Sequence, residues 1–199
     1  MTIIKKTSEE YWDRFRTGDS DAFAFIYNEH IKLLLSYGRK VHNDRQMVAD
    51  VIQELFANLW TRREFIGPTT SVKFYLFKSL RTSMVKEIKK HQDKTFNFEN
   101  IDHSAHSYSS HENFVIDQEQ TELQYKLLKR AISLLPKREQ EILYLKYFSG
   151  LGNEEIGELL DIQYQSVKNT SFSAIKKLRK YFSSHELQIL ALAFSCGSI

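Results

Sequence analysis

Hydrophobic residues recur along most of the chain at steps of three and four positions, which is the spacing of one face of an α-helix. In the first half, this pattern predicts a helix after the break at residues 18–21, a second that begins near Asp44 and ends at Gly67 and Pro68, and a third over about residues 70–91. Polar residues fill the opposite faces, so each helix is expected to bury one side against its neighbours.

The second half shows the same spacing in shorter segments. Pro136 stands where a helix can begin, because proline fits the first turn. A short helix over about residues 153–160 is followed by a tight break at Asp161 and by a longer helix that begins near Tyr164 and runs beyond Leu178. Two prolines and seven glycines are few for a sandwich or barrel, which needs many turns. The sequence therefore predicts an all-α fold.

The helical spacing is interrupted between about residues 95 and 113, where Ser, Asn and His replace the apolar positions. Such a composition is typical of a flexible linker. We therefore expect two small helical bundles joined by a flexible linker, the second containing a helix-turn-helix. The predicted divisions are a first domain over residues 1–94, an acidic linker over 95–117, a second domain over 118–184 and an apolar C-terminal tail over 185–199.

Charge is distributed unevenly, although the formal net charge is only +3. Residues 73–94 hold seven basic side chains and two acidic ones, and residues 163–184 hold five basic side chains and no acid. Between them, residues 95–120 hold five acids and no Lys or Arg. Because clustered positive charge attracts phosphate backbones, the two basic segments are candidates for nucleic-acid contact. The alternative is a pair of solvated helix faces.

Composition narrows the classes of function. The single cysteine, Cys196, excludes a disulfide framework and an all-cysteine metal site. His103, His106 and His111 stand in the expected linker with no cysteine near them, so no metal site is predicted. Neither a cofactor motif nor a catalytic spacing is found, so we expect no cofactor and no enzyme activity. No apolar run suits a signal peptide or a membrane span, which predicts a cytoplasmic protein without membrane insertion.

The most specific motif is a short helix, a tight turn and a longer basic helix between Glu154 and Arg179. This helix-turn-helix spacing places the early residues of the second helix at base edges in the DNA major groove. Lys and Asn can pair with guanine and adenine edges, and Phe can touch a thymine methyl. The residues expected near bases are Gln165, Ser166, Lys168, Asn169 and Phe172, and those expected mainly at phosphates are Lys176, Lys177, Arg179 and Lys180. The alternative is a helix pair with a basic outer face.

Two further segments carry weaker signals. The segment DVIQELFANLW at residues 50–60 has an acidic and polar face edged by aromatics, which suits docking to a basic partner helix. Residues 73–90 interleave aromatics with Lys and Arg, a combination suited to the unstacked bases of single-stranded DNA. Taken alone, both segments are also compatible with core helices that expose one polar side.

Together, the two halves resemble a known family. DVIQELFANLW resembles the polymerase-docking helix of bacterial RNA polymerase sigma factors, specifically those of the extracytoplasmic-function (ECF) type. The segment LPKREQEILYLKYFSGLGNEEIGELLDIQYQSVKNTSFSAIKKLRK resembles their promoter −35-reading domain. The order and spacing of the segments agree as well, over about residues 8–93 and 118–182.

The resemblance implies a role for each matching residue. The surface that docks to core RNA polymerase would include, on it or beneath it, Asp50, Gln53, Glu54, Phe56, Leu59 and Trp60. The −10 element and its melted strand would face Lys73, Tyr75, Lys78, Arg81, Thr82, Lys86, Lys89 and Lys90. The −35 bases would face Lys168, Asn169, Phe172 and Ser173. The family usually has Asn at the position of Thr82 and Asp at that of Lys86, so the −10 preference is expected to differ.

A sigma factor of this kind binds core RNA polymerase and promoter DNA, and the resemblance implies an anti-sigma factor as a further partner. The alternative is a stand-alone helix-turn-helix regulator that binds DNA as a dimer and needs no polymerase. The size-exclusion mass of the protein and a footprint without polymerase distinguish the two hypotheses.

Overall fold

The structure of the protein, a computed structural model, describes residues 8–91 and 127–181. Every regular element in these two ranges is helical, which confirms the predicted all-α class. The ranges belong to two separate compact units, one from each half of the chain. The predicted linker with its three histidines and the apolar tail lie outside the described residues.

Over its described residues, 8–91, the first unit contains four α-helices. They are α1 (Ser8–Arg16), α2 (Ser20–Val41), α3 (Arg45–Thr61) and α4 (Val72–His91), with a 3₁₀ turn at Arg63–Phe65 after α3. The predicted starts of α2 and α3 are confirmed. An aspartate precedes each, and the carboxylates of Asp19 and Asp44 accept hydrogen bonds from N–H groups of the first turn. The bond from the Ala22 N–H, followed by that from Arg14, lowers the pKa of Asp19.

The prediction that α3 ends at Gly67 and Pro68 is wrong, because the helix stops well before them. Side chains of α1 hold the connection that follows. The Trp12 indole N–H donates to the Gly67 carbonyl at 3.1 Å, and the Arg16 Nε donates to the Ile66 carbonyl at 2.6 Å. These carbonyls are satisfied by side chains rather than by a helical ladder, and the chain forms no regular element between the 3₁₀ turn and α4.

The core of the first unit draws large apolar side chains from all four helices. Those that are fully buried include Trp12, Phe15, Ile26, Leu34, Tyr37, Ile52, Leu76, Phe77, Leu80 and Met84. Helices α2 and α3 approach closely at Gly38, where a Cβ atom would lie 2.5 Å from Val48 Cγ1. A larger residue at this position would push the two helices apart.

His30 lies in this core, as its place on an apolar helix face predicts, with 3% of its surface exposed. Neither ring nitrogen has a hydrogen-bond partner among the described residues. Burial lowers the pKa of His30; Glu29 opposes that shift, Lys73 adds to it and Glu9 opposes it. His30 is therefore a neutral core side chain near pH 7.

The second unit is also a helical bundle. Its helices are α5, described over residues 127–133, α6 (Lys137–Leu143), α7 (Asn153–Leu160) and α8 (Tyr164–Tyr181), with a π-helical turn at Tyr144–Phe148 that continues α6. The predicted start after Pro136, the short helix α7 and the start of α8 are confirmed. In the core of this unit, Ala174 and Leu178 of α8 pack with Leu143 of α6 and with Ala131 of α5.

Candidate DNA-binding and docking surfaces

The turn between α7 and α8 has the close geometry that a helix-turn-helix needs. Asp161 adopts the left-handed conformation, with φ 52° and ψ 52°. The next residue, Ile162, donates its N–H to the Gly157 carbonyl at 2.9 Å. A Cβ on Gly157 would lie 2.8 Å from the Ile162 carbonyl oxygen, so glycine is required for this approach. Ile156 and Val167 are buried between the two helices and fix the angle at which they cross.

Helix α8 has a buried stripe and a broad outward face. The buried stripe consists of Val167, Ser171, Ala174 and Leu178. The outward face carries the exposed side chains of Gln165, Ser166, Lys168, Asn169, Phe172, Lys176, Arg179 and Lys180. The Phe172 ring is 67% exposed. This face combines cations, amides and an apolar ring, the set that reads base edges and phosphates.

Two predicted contact residues of α8 differ from the rest. Ser173 is half-buried, and its hydroxyl donates to Glu139 Oε1 at 3.4 Å. Lys177 donates from Nζ to the same oxygen at 2.6 Å. Both residues thus bind Glu139, an α6 residue that the sequence patterns did not single out, although the Lys177 side chain itself remains exposed. The Glu–Lys partnership spans 38 residues of sequence, so no local spacing could have indicated it.

The predicted docking face of α3 is exposed as an acidic and polar ridge. Asp50, Gln53 and Glu54 all point to the surface, whereas Phe56 and Leu59 are buried beneath it. The ridge therefore consists of the polar residues alone, and the apolar residues support it.

Aromatic rings from α2 reinforce the same ridge. Tyr27 meets Phe56 edge to face with centroids 4.8 Å apart, and Phe23 lies 5.1 Å from Trp60. Trp60 is half-buried, so part of its ring reaches the surface. An acidic ridge on a rigid aromatic base suits a basic partner helix.

Helix α4 exposes lysines but uses several predicted DNA-contacting residues inside the unit. Its exposed predicted residues are Lys78, Thr82, Lys86, Lys89 and Lys90, and the half-buried ones are Lys73, Tyr75 and Arg81. The Tyr75 ring meets Trp12 edge to face at 4.9 Å between centroids. Arg81 donates from Nη1 to the Tyr37 hydroxyl at 2.9 Å. The basic face of α4 is therefore only partly available to a partner.

The described surfaces offer charge, hydrogen bonds and aromatic stacking. In residues 8–91 and 127–181, no cluster of three or more His, Cys, Asp or Glu side chains could hold a metal ion. No helix within the same ranges is long and apolar enough to cross a membrane.

Comparisons with known proteins identify the two units by family. Residues 26–94 match the family profile of sigma-70 region 2, and residues 125–178 match that of sigma-70 region 4, so the two matches together span well over half of the chain. The ECF RNA polymerase sigma factor SigL of Mycobacterium tuberculosis, found in strains that include Erdman and H37Rv, is 24% identical over 155 residues, which are 77% of this chain and 85% of SigL.

A solved structure shows the same fold. A chain of the structure of CnrH in complex with the cytosolic domain of CnrY aligns with a TM-score of 0.56 at 16% identity, covering 87% of this chain and 95% of the matched chain. Both regions occur here in one chain and in the order of the family. The chain therefore belongs to the sigma-70 family of RNA polymerase sigma factors and is of the ECF type.

Proposed function

We propose that the first unit binds core RNA polymerase and the −10 element, and that the second unit reads the −35 element, so that the protein directs promoter-specific transcription initiation. One observation carries this proposal: a helix-turn-helix with an exposed, cation-rich second helix follows, in one chain, a sigma region 2 unit with an acidic ridge.

In the first unit, the ridge of Asp50, Gln53 and Glu54 would contact a basic helix of the polymerase, supported from beneath by Phe56 and Leu59. Exposed charges steer such an encounter and set its register. The lysines of α4 would then face the melted strand of the −10 element, where cations follow the backbone and rings stack on unpaired bases.

In the second unit, Lys168 and Asn169 would contact base edges from the early turns of α8, with Phe172 against a thymine methyl. Lys176 and Arg179 would contact phosphates, which position the helix without specifying sequence. Each unit alone is a weak reader, and joining the two raises the effective concentration of the second once the first is bound.

The protein would have no catalytic activity and no cofactor of its own, because the polymerase supplies the chemistry. Its place of action would be the cytoplasm, where bacterial polymerase and DNA are found. CnrH forms a complex with the cytosolic domain of CnrY, and by analogy we propose an anti-sigma factor as a further partner of this chain.

Run-off transcription with purified core polymerase tests the proposal. Core polymerase plus the protein should give discrete transcripts from fragments of the source genome, and core polymerase alone should not. A Glu54→Lys variant serves as the matched control, because it alters the ridge and leaves both basic helices intact. If no fragment gives a transcript that depends on the protein, the proposal is wrong.

A further inference from the structure

Three consecutive residues in the first turn of α6 each bind a different part of the second unit. Arg138 donates from Nη2 to the Leu160 carbonyl, the last of α7, at 2.9 Å. Gln140 donates from Nε2 to the Leu135 carbonyl, after α5, at 2.7 Å. Between them, Glu139 reaches α8. This turn is the point at which both helices of the helix-turn-helix are fixed.

The contact between Glu139 and α8 is shielded from water on the side of the carboxylate, whereas the Lys177 side chain is 46% exposed. The Glu139 side chain is 10% exposed, and its Oε1 accepts from Lys177 Nζ at 2.6 Å and from Ser173 Oγ at 3.4 Å. A carboxylate this deeply placed is stable only when a cation or several donors satisfy it. Removing the Lys177 ammonium would leave its charge uncompensated, so α8 would have to shift or admit water.

The position of Lys177 around α8 separates it from the outward row. Consecutive residues of an α-helix lie about 100° apart around its axis, so Lys176 and Lys177 point in different directions. Lys168, Phe172 and Lys176 follow one another at four-residue steps along the exposed face. Ser173 and Lys177, also four residues apart, form a second row along the edge that meets α6. The Lys177 charge is therefore directed to Glu139.

We propose that Lys177 is a positioning residue for −35 recognition: through Glu139 it fixes the angle of α8 to α6, and it does not act as a phosphate contact. This proposal differs from the expectation from charge patterning, which places Lys177 at the DNA backbone. The inference rests on the proposed function, since it specifies how the same helix is held in register with base edges.

The adjacent lysines Lys176 and Lys177 provide a matched pair of variants. Polymerase reconstituted with full-length protein is titrated with a promoter duplex and with the same duplex altered only in the −35 element, over a series of salt concentrations. Lys176→Ala should weaken binding to both duplexes alike and reduce the salt slope by about one, because one phosphate contact is lost. Lys177→Ala should leave the salt slope unchanged and reduce the preference for the promoter duplex about tenfold.

A double-mutant cycle ties the effect of Lys177 to its partner. Glu139→Gln and Lys177→Gln should each reduce −35 preference, and the double variant should be no worse than either single one. Lys177→Arg keeps the charge and should retain most of the preference. If Lys177→Ala melts below the assay temperature, the Glu139→Gln and Lys177→Arg variants show whether the ion pair sets the −35 preference.

Two results would overturn the proposal. The first is a Lys177→Ala variant that loses salt slope as Lys176→Ala does. The second is a Glu139→Gln variant that lowers the melting temperature but keeps wild-type −35 preference at temperatures where it is folded. Failure of the proposed function has a different signature, because the wild-type holoenzyme itself would then show no −35 preference.

Discussion

The two basic helices, α4 and α8, use their charged and aromatic side chains differently. On α8, Lys168 and the Phe172 ring project from the surface, away from the buried stripe. On α4, the Tyr75 ring packs on Trp12 of α1, and Arg81 donates a hydrogen bond to a tyrosine of α2. The two helices therefore have a similar density of charge, but α8 presents its side chains on the surface, whereas α4 uses some of its side chains within the fold.

Because of this difference, we expect mutations in α8 and mutations in α4 to have different consequences. An outward residue of α8 can change without altering the core, so its loss should affect binding and leave stability intact. Several residues of α4 contribute to the fold and to the surface together, so their loss should affect both. Lys168→Ala and Asn169→Ala test the outward side of this contrast, and Tyr37→Phe tests the side that serves the fold.

The broadest effect is expected from a variant outside both basic helices. Both act at a promoter only when the protein is attached to polymerase, so Glu54→Lys in the α3 ridge should disable both together. We expect its association with core polymerase to weaken at least tenfold, about 1.4 kcal/mol. Anisotropy of labelled protein titrated with core polymerase measures this. Glu10→Lys, the same charge reversal at an exposed residue of α1, should bind normally, and equal losses in both variants would refute the docking assignment.

The next effect concerns sequence reading by α8. Lys168→Ala and Asn169→Ala should each reduce −35 discrimination by about 1–3 kcal/mol, because each removes paired hydrogen bonds to a base edge. Thermal melting should remain unchanged, since both side chains are exposed. Competition between matched and altered duplexes gives the discrimination, and a loss of stability without a loss of discrimination would contradict the contrast.

On the α4 side, Tyr37→Phe should destabilise the first unit. The variant leaves Arg81 without its hydroxyl partner in a partly buried setting, at a cost of about 1–2 kcal/mol. Urea denaturation measures the free energy of unfolding. Tyr181→Phe removes a hydroxyl at an exposed position of α8 and should be neutral. Equal stability of the two variants would show that α4 does not serve the fold in the way described.

The smallest effect is a pH dependence of the first unit. Burial lowers the pKa of His30 below its ordinary value of 6.5, so the unfolded chain takes up a proton at a higher pH than the folded one. Stability is therefore complete above about pH 6.5 and falls as the pH drops from there toward the folded pKa. The groups that face His30 are Glu29, Lys73 and Glu9. His30→Leu should flatten the decline in urea melts between pH 7 and 5.5, and an unchanged slope would contradict this origin.

The helices and the turn were predictable because their signals are local. Apolar spacing located α2, α4 and α8, and the break at Asp161 coincides with its left-handed backbone. The exposed face of α8 followed from the same spacing, since a helix that buries one stripe must expose the other.

What the sequence did not indicate depends on contacts between distant residues. The connection after α3 is held by Trp12, whose indole N–H donates to the Gly67 carbonyl 55 residues away. Similarly, Lys177 donates a hydrogen bond to Glu139, which lies in another helix. Periodicity tells which side of a helix is buried but not which side chain lies opposite, so a lysine that contacts phosphate and one that contacts a buried carboxylate look alike in sequence.

The most direct test of the central claim, that α8 reads the −35 element within a polymerase complex, is methylation interference on a promoter bound by the holoenzyme. Methylation of guanine N7 in the major groove of the −35 element should block binding, and Lys168→Ala should weaken that interference there while leaving contacts at −10 unchanged. A symmetric, palindromic interference pattern produced by the protein without polymerase would contradict the account and support a dimeric stand-alone regulator.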